Sequence, residues 1–488
     1  MKALKKVLSL CLAAILLLAL SPAAFAEGET SGTTPMATVK IDGAVHGETY
    51  YFYRMFSVNS VVPDGDKTLI SYEVNTAWAD FFAENAAGHQ YITLENGNPT
   101  WQGEKTAERV KAFADAAFDY ASAKSITPYP AAYSEEQSEM QVNLPLGYYL
   151  MKSSLGALFS LQSAHQTVTI EEKNSVPTFK KEVEVTPGNW GASNTAKIGD
   201  TVNFKSEFTI GKGNDYIYYF RDTMSPGLTP NDGSIEVQVQ AKDTATATKV
   251  TTGYSKVNPG IGDMFTFGLD FTKEFIEQYQ EYTVVITYSA VLNENAVIDA
   301  SNPNNATLEY NNKTLKGHTD TYTYQFDLVK YYTDADGNKK LLKDAEFKLY
   351  ESNNGGEAIK FIKNADGTEY RVAKQGEDGA VDTIKTLETG KINIKGLDKK
   401  TYYLEETKAP GGYNKLKERV EVDLTGGSKT ATANDTFFAG GVQVENKSGT
   451  TLPSTGGMGT TLFYVVGGLL MVCAVVLLVT KKRMEKNA

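Results

Sequence analysis

The segment Tyr402–Tyr413 reads YYLEETKAPGGY, and its first half alternates as a half-buried strand does. Tyr402, Leu404 and Glu406 share one face; Tyr403, Glu405 and Thr407 share the other. If Tyr402 and Leu404 point into a core, Glu406 points there too. A carboxylate costs several kcal/mol to bury without a partner and usually takes up a proton instead. The strand therefore implies a β-sheet core and a partner for the acid.

YYLEETKAPGGY resembles the E-box of Gram-positive pilins, Y-x-L-x-E-T-x-A-P-x-G-Y, at every fixed position: Tyr402, Leu404, Glu406, Thr407, Ala409, Pro410, Gly412 and Tyr413. The resemblance implies a CnaB-type domain built around an intramolecular Lys–Asn isopeptide bond that the glutamate promotes. Strand parity is compatible with it. In TYQFDLVK, Phe326, Leu328 and Lys330 share a face, and in GVQVEN, Val442, Val444 and Asn446 do the same. Burial would leave Lys330 a neutral nucleophile. It would also raise the Glu406 pKa, so that the neutral acid polarises the Asn446 carbonyl while ammonia leaves.

Working outward, the middle of the chain repeats the scheme. In PTFKKEVEV, Phe179, Lys181, Val183 and Val185 alternate on one face, with Lys180 on the other. Tyr216, Tyr218, Phe220 and Asp222 share a face in NDYIYYFRDTMSPGL. In NPNNATLEY, Asn304 lies with Ala306, Leu308 and Tyr310, and Asn305 with Thr307 and Glu309. The P-T-x-x-K-K-x-V, D-T-x-x-P-G-L and N-x-A-x-L-x-Y motifs resemble the isopeptide-forming middle domain of backbone pilins. Lys181, Asn304 and the promoting acid Asp222 are the matched positions, with Asn305 as the adjacent alternative.

Three extracellular segments are expected: an α+β, mainly β, N-terminal domain (27–175), a middle immunoglobulin-like β-sandwich (176–322) and a second, smaller β-sandwich (323–448). The abundance of Tyr (28) and Phe (22) among many Thr, Val and Gly residues favours this mostly β class. EKTAERVKAFADAAFDYASAK is the helix candidate of the first segment, between strand-like ATVKIDG, GYYLMKSS and QTVTIEE.

Both ends carry processing signals. Residues 1–26 combine a basic start, an apolar run and Ala24-Phe25-Ala26, which reads as a secretory signal peptide. Near the other end, Leu452-Pro453-Ser454-Thr455-Gly456 lies within a Ser/Gly/Thr-rich stretch (449–457). An apolar span (458–480) and a basic tail (481–488) beginning Lys481-Lys482-Arg483 follow. The span is long enough to cross a bilayer, with the tail cytoplasmic. Pentapeptide, span and tail together resemble the LPxTG cell-wall sorting signal. That resemblance implies cleavage between Thr455 and Gly456 by a sortase, here a pilus-specific class C enzyme, after transient membrane anchoring. The two cysteines, Cys11 and Cys473, fall in the signal peptide and the span, so the exported part has no disulfide to staple it.

Backbone pilins carry the receiving lysine in a motif close to Tyr-Pro-Lys-Asn. Here the place reads Glu171-Glu172-Lys173-Asn174, matching only the Lys-Asn half. Thr167, Thr169, Glu171 and Lys173 share a face opposite Val168 and Ile170, so Lys173 is expected to be exposed.

A net charge of -11 argues against nucleic-acid partners. Four widely separated histidines, and no nucleophile elbow, zincin or phosphate-loop motif, argue against a turnover enzyme, a metal centre or a cofactor. Asp334-Ala335-Asp336-Gly337-Asn338 begins like a calcium loop, but its twelfth position is Ala345, so a hairpin turn is expected. The reading is a structural subunit of a covalent, cell-wall-anchored pilus, joined Thr455 to Lys173. Its expected partners are sortase, identical subunits, minor pilins, peptidoglycan and the host surface. The rival is a wall-anchored adhesin or a basal or minor pilin that does not polymerise.

Overall fold

A computed structural model describes residues 36–45, 47–64, 67–134, 138–153, 156–158, 167–172, 175–212, 216–432, 436–449 and 459–484. Residues 1–26, expected to be a signal peptide, Lys173 and the Leu452–Gly456 pentapeptide lie outside the described residues. The chain divides into two compact units. One holds the residues up to Thr195 with Asp200–Asn295 and Ser301–Tyr322; the other holds Ala196–Gly199, Ala296–Ala300 and the chain from Thr323 onward.

The first unit begins with a three-stranded sheet of Thr167–Glu171, Met36–Asp42 and Met140–Pro145, and a five-stranded sheet around the long Thr49–Asp64 strand. The expected helix is Ala107–Ala123, with the Thr106 side chain capping it by accepting from the Arg109 N–H. Its Phe113, Ala114, Ala117 and Ala121 pack with Phe56, Trp78, Phe81 and Phe82 into an aromatic core. An α+β arrangement results because the apolar residues here follow a helical spacing, whereas those of the flanking segments alternate.

The same unit continues into a β-sandwich. One sheet has seven strands, in the order Asn189–Gly191, Phe179–Thr186, Thr201–Thr209, Thr283–Leu292, Glu236–Gln240 and Thr248–Val250, with Leu228–Pro230 paired at the side. The other has six, in the order Ser193–Thr195, Lys313–Tyr322, Asn302–Tyr310, Tyr219–Met224, Phe267–Phe271 and Tyr254–Val257. Val202, Phe204, Phe208 and Ile210 all turn inward as their alternation requires. Val185 does not: it is 50% exposed, because the register shifts between Glu184 and Thr186 as the chain enters the hairpin to Asn189.

The second unit is the smaller sandwich. Its six-stranded sheet is built on Tyr324–Thr333, which pairs antiparallel with Lys391–Leu397 and parallel with the last strand, Val442–Glu445. The facing four-stranded sheet orders Ile384–Lys385, Glu346–Tyr350, Thr401–Lys408 and Val420–Asp423. Asp334 heads a hairpin turn as expected, its Oδ1 accepting from the Asp336 and Asn338 N–H groups. The E-box turn needs glycine at Gly412, where φ is +89°. A helix over Gly459–Met484 carries the apolar span and continues through Lys481–Arg483. Leu462–Met484 is long and apolar enough to cross a membrane.

Candidate cross-linking sites

The two sandwiches each close over a lysine, an acid and an asparagine. In the smaller one, Lys330 stands opposite Val444 on the parallel last strand, and Asn446 follows that strand directly. The Asn446 N–H donates to the Tyr331 carbonyl (2.9 Å), which fixes the chain end beside Lys330. Glu406 comes from the facing sheet. All three side chains are buried.

Lys330 Nζ lies 3.1 Å from Glu406 Oε1. The other carboxylate oxygen, Oε2, accepts from Asn446 Nδ2 (2.9 Å) and from the Leu416 N–H (2.8 Å). Asn446 Nδ2 also donates to the Asn414 carbonyl (2.9 Å). The Phe347 ring covers the amine at 5.5 Å. Burial pulls the Lys330 pKa below the ordinary lysine value, against the opposing pull of Glu406, which favours the neutral amine. The acid meets the amide nitrogen of Asn446, whose carbonyl oxygen makes no hydrogen bond. Polarisation of that carbonyl by Glu406, the expectation from sequence, is not the contact formed.

In the larger sandwich the sheets share out the groups differently. Lys181 belongs to the seven-stranded sheet, opposite Ser206. Asp222 and Asn304 sit on adjacent strands of the facing sheet, where Asp222 pairs with Ala306 and Met224 with Asn304. Lys181 Nζ lies 2.7 Å from Asp222 Oδ2, with both side chains at 0% exposure. Asn304 is buried, whereas its neighbour Asn305 is exposed, which separates two residues that sequence alone left as alternatives. Burial pushes the Asp222 carboxyl up and the Lys181 amine down, so both neutral forms gain.

Close approach here depends on Gly317. A Cβ at that position would stand 2.8 Å from Lys181 Cβ and 3.2 Å from Phe179 Cε1. The bare backbone of the Lys313–Tyr322 strand is what lets the lysine strand settle against it.

One member of this cluster escaped the sequence reading. The Tyr288 hydroxyl hydrogen-bonds both Lys181 Nζ and Asp222 Oδ2. Alternation in YTVVITYSA already places Val284, Ile286 and Tyr288 on one face, and that was the available signal. The tyrosine is buried, and its pKa is driven well above the ordinary value by burial and by Asp222. On the outer side of the E-box, Glu405 is not bare to water. It pairs with Arg419 Nη2 at 3.0 Å, and that guanidinium stacks over the Tyr350 ring at 3.5 Å.

Three family models match this chain. A Gram-positive pilin backbone subunit 2, Cna-B-like domain covers residues 198–314, which hold Asp222, Tyr288 and Asn304. A prealbumin-like fold domain covers 329–436, and an LPXTG cell-wall anchor motif covers 444–486. The middle of the chain thus carries a pilin-backbone domain and its end a cell-wall anchor motif. The chain is a cell-wall-anchored surface protein, with its anchor motif leading into the apolar helix.

Among curated proteins the chain is 24% identical to the trypsin-resistant surface T6 protein of Streptococcus pyogenes over 258 residues, 51% of its length. It spans 46% of that relative's length. Among solved structures it is similar to the T6 backbone pilin of S. pyogenes, at 19% identity over 79% of each chain and a TM-score of 0.47. It is also similar to the major pilin SpaD of Corynebacterium diphtheriae, at 18% identity over 86% of this chain and 98% of that one, TM-score 0.48.

Proposed function

We propose that this chain is the shaft subunit of a covalently polymerised pilus. It is organised as segments 27–175, 176–322 and 323–448, and is itself locked by two isopeptide bonds, Lys181–Asn304 and Lys330–Asn446. The observation that supports this most is the double occurrence of a buried lysine, acid and asparagine, once in each sandwich. A buried amine, acid and amide held together have little to gain as permanent ions, because desolvation outweighs much of their attraction. They gain by becoming an amide, which carries no charge to desolvate.

In the smaller sandwich the Lys330 Nζ lone pair attacks Asn446 Cγ. The C–Nδ2 bond breaks, and the proton surplus on Nζ passes through the Glu406 carboxyl group to the departing nitrogen. Glu406 suits this role because its two oxygens face the amine and the amide nitrogen. Ammonia leaves and the acid is regenerated. Each site acts once, so the chain is a substrate of its own chemistry and not a turnover enzyme. By the chain-entropy relation for loops of this size, each bond stabilises its sandwich by about 5 kcal/mol, as a disulfide would.

Assembly would use the surface signal. A sortase cysteine takes the Thr455 carbonyl from Gly456, and the Lys173 amine of the next subunit displaces the sulfur. The last subunit passes to peptidoglycan; minor pilins and the host surface are the remaining contacts. Intact mass of the exported chain tests the internal bonds. Loss of two ammonias is expected, with the two cross-linked peptide pairs identified by fragmentation. A mass equal to that of the uncross-linked sequence would remove the proposal's chemical basis.

A further inference from the structure

Asp222 is one methylene shorter than Glu406, and the two clusters differ accordingly. Glu406 reaches the lysine with one oxygen and the asparagine amide with the other. In the larger sandwich Lys181 and Tyr288 both converge on Asp222 Oδ2. Asp222 Oδ1 and both amide atoms of Asn304 are buried, and the Asn304 side chain acts on both Asp222 and Tyr288. Tyr288 lies on the lysine's own sheet, opposite Phe204, and its hydroxyl bonds both the nucleophile and the acid, which also touch each other at 2.7 Å. The smaller cluster has a phenylalanine ring, Phe347, over its amine, and among the described residues no hydroxyl bonds both lysine and acid.

We propose that Tyr288 is a catalytic proton relay of the Lys181–Asn304 cross-linking reaction, carrying a proton from the amine to the acid alongside their direct contact. This rests on the reading that the bond forms. As Lys181 Nζ bonds to Asn304 Cγ, Nζ gives its surplus proton to Tyr288 Oη, and Tyr288 gives its own proton to Asp222 Oδ2. Asp222 releases the proton held on Oδ1 to Asn304 Nδ2, the C–N bond breaks, and ammonia departs. Tyrosine and acid end with the protons they began with. The neutral starting forms are those that burial favours at all three positions. A positioned acid–base group of this kind contributes ~100-fold or more to a rate.

The test follows ammonia loss by intact mass after cell-free synthesis of the full chain, with the Lys330–Asn446 bond as internal control. Tyr288→Phe keeps the ring and removes only the hydroxyl. The expected result is a Lys181–Asn304 bond formed ~100-fold more slowly while the Lys330–Asn446 bond forms at the normal rate. Y288F should also show a smaller solvent deuterium isotope effect than wild type, because the hydroxyl proton no longer moves with the others. Equal rates in Y288F and wild type overturn the relay alone. A slow Y288F that keeps the wild-type isotope effect assigns the loss to packing and also overturns it. Absence of the Lys181–Asn304 bond from the wild-type chain overturns relay and underlying reading together.

Discussion

Lys330 and Glu406 meet at 3.1 Å across the gap between two facing sheets, both at 0% side-chain exposure. Glu406→Ala leaves the amine buried beside Phe347 with no proton carrier. The C-terminal ammonia loss should disappear from the intact mass, and the smaller sandwich should lose ~3–5 kcal/mol on top of the missing bond, the cost of stranding one member of a buried pair. Glu405→Ala breaks only the partly exposed Arg419 contact and should leave the mass unchanged, with at most ~1 kcal/mol lost in denaturant unfolding.

Gly317→Ala tests the close approach beside Lys181. The added methyl must displace the lysine strand, because its neighbours, Lys181 Cβ, Phe179 Cε1 and the Lys181 backbone nitrogen, all belong to that strand. A destabilisation of ~1–3 kcal/mol is expected from overpacking, with slower formation of the Lys181–Asn304 bond. A variant that cross-links at the wild-type rate would show that the lysine strand has slack.

Asn446→Ala leaves Lys330 as a free, buried amine. Its folded pKa lies below the unfolded value because burial disfavours the charge. Between the folded and unfolded pKa values the unfolded chain binds the extra proton, so stability rises with pH in that window and falls as pH drops through it. Thermal melts of N446A should therefore improve toward alkaline pH relative to wild type, in which the amide has removed this titration. Parallel pH profiles for the two proteins would contradict the assignment of Lys330 as the buried amine.

Lys173→Ala and Thr455→Ala should each abolish the high-mass ladder on denaturing gels of wall extracts. T455A should also release the chain from the wall fraction. A ladder that survives K173A would move the receiving amine to another lysine. A wild type with no ladder would favour the basal or minor subunit.

The inward positions of Lys330, Glu406 and Asn446 were legible in the sequence because strand alternation is a property of single residues and needs no knowledge of neighbours. Parity also put Lys181, Asp222 and Asn304 on core faces. It does not give height along a strand or the identity of the facing sheet, so it could not bring the Tyr288 hydroxyl to the amine. A register shift after Glu184 reverses parity, and Val185 consequently points outward. The Arg419 contact joins Glu405 to a residue just ahead of the paired strand Val420–Asp423 through a long, flexible side chain, which alternation leaves undetermined.

The parallel pairing of Tyr324–Thr333 with Val442–Glu445 puts the entry and exit strands of the smaller sandwich side by side, running in the same direction. Tension applied to the two chain ends then draws these neighbours past one another lengthwise. The rungs between them are strained together and cannot peel apart in sequence. With Lys330 and Asn446 joined, the load path would run from Thr323 to Lys330 and out through Asn446. The hairpins, the E-box turn and the facing sheet would hang from that line as slack cargo, folded but carrying no force.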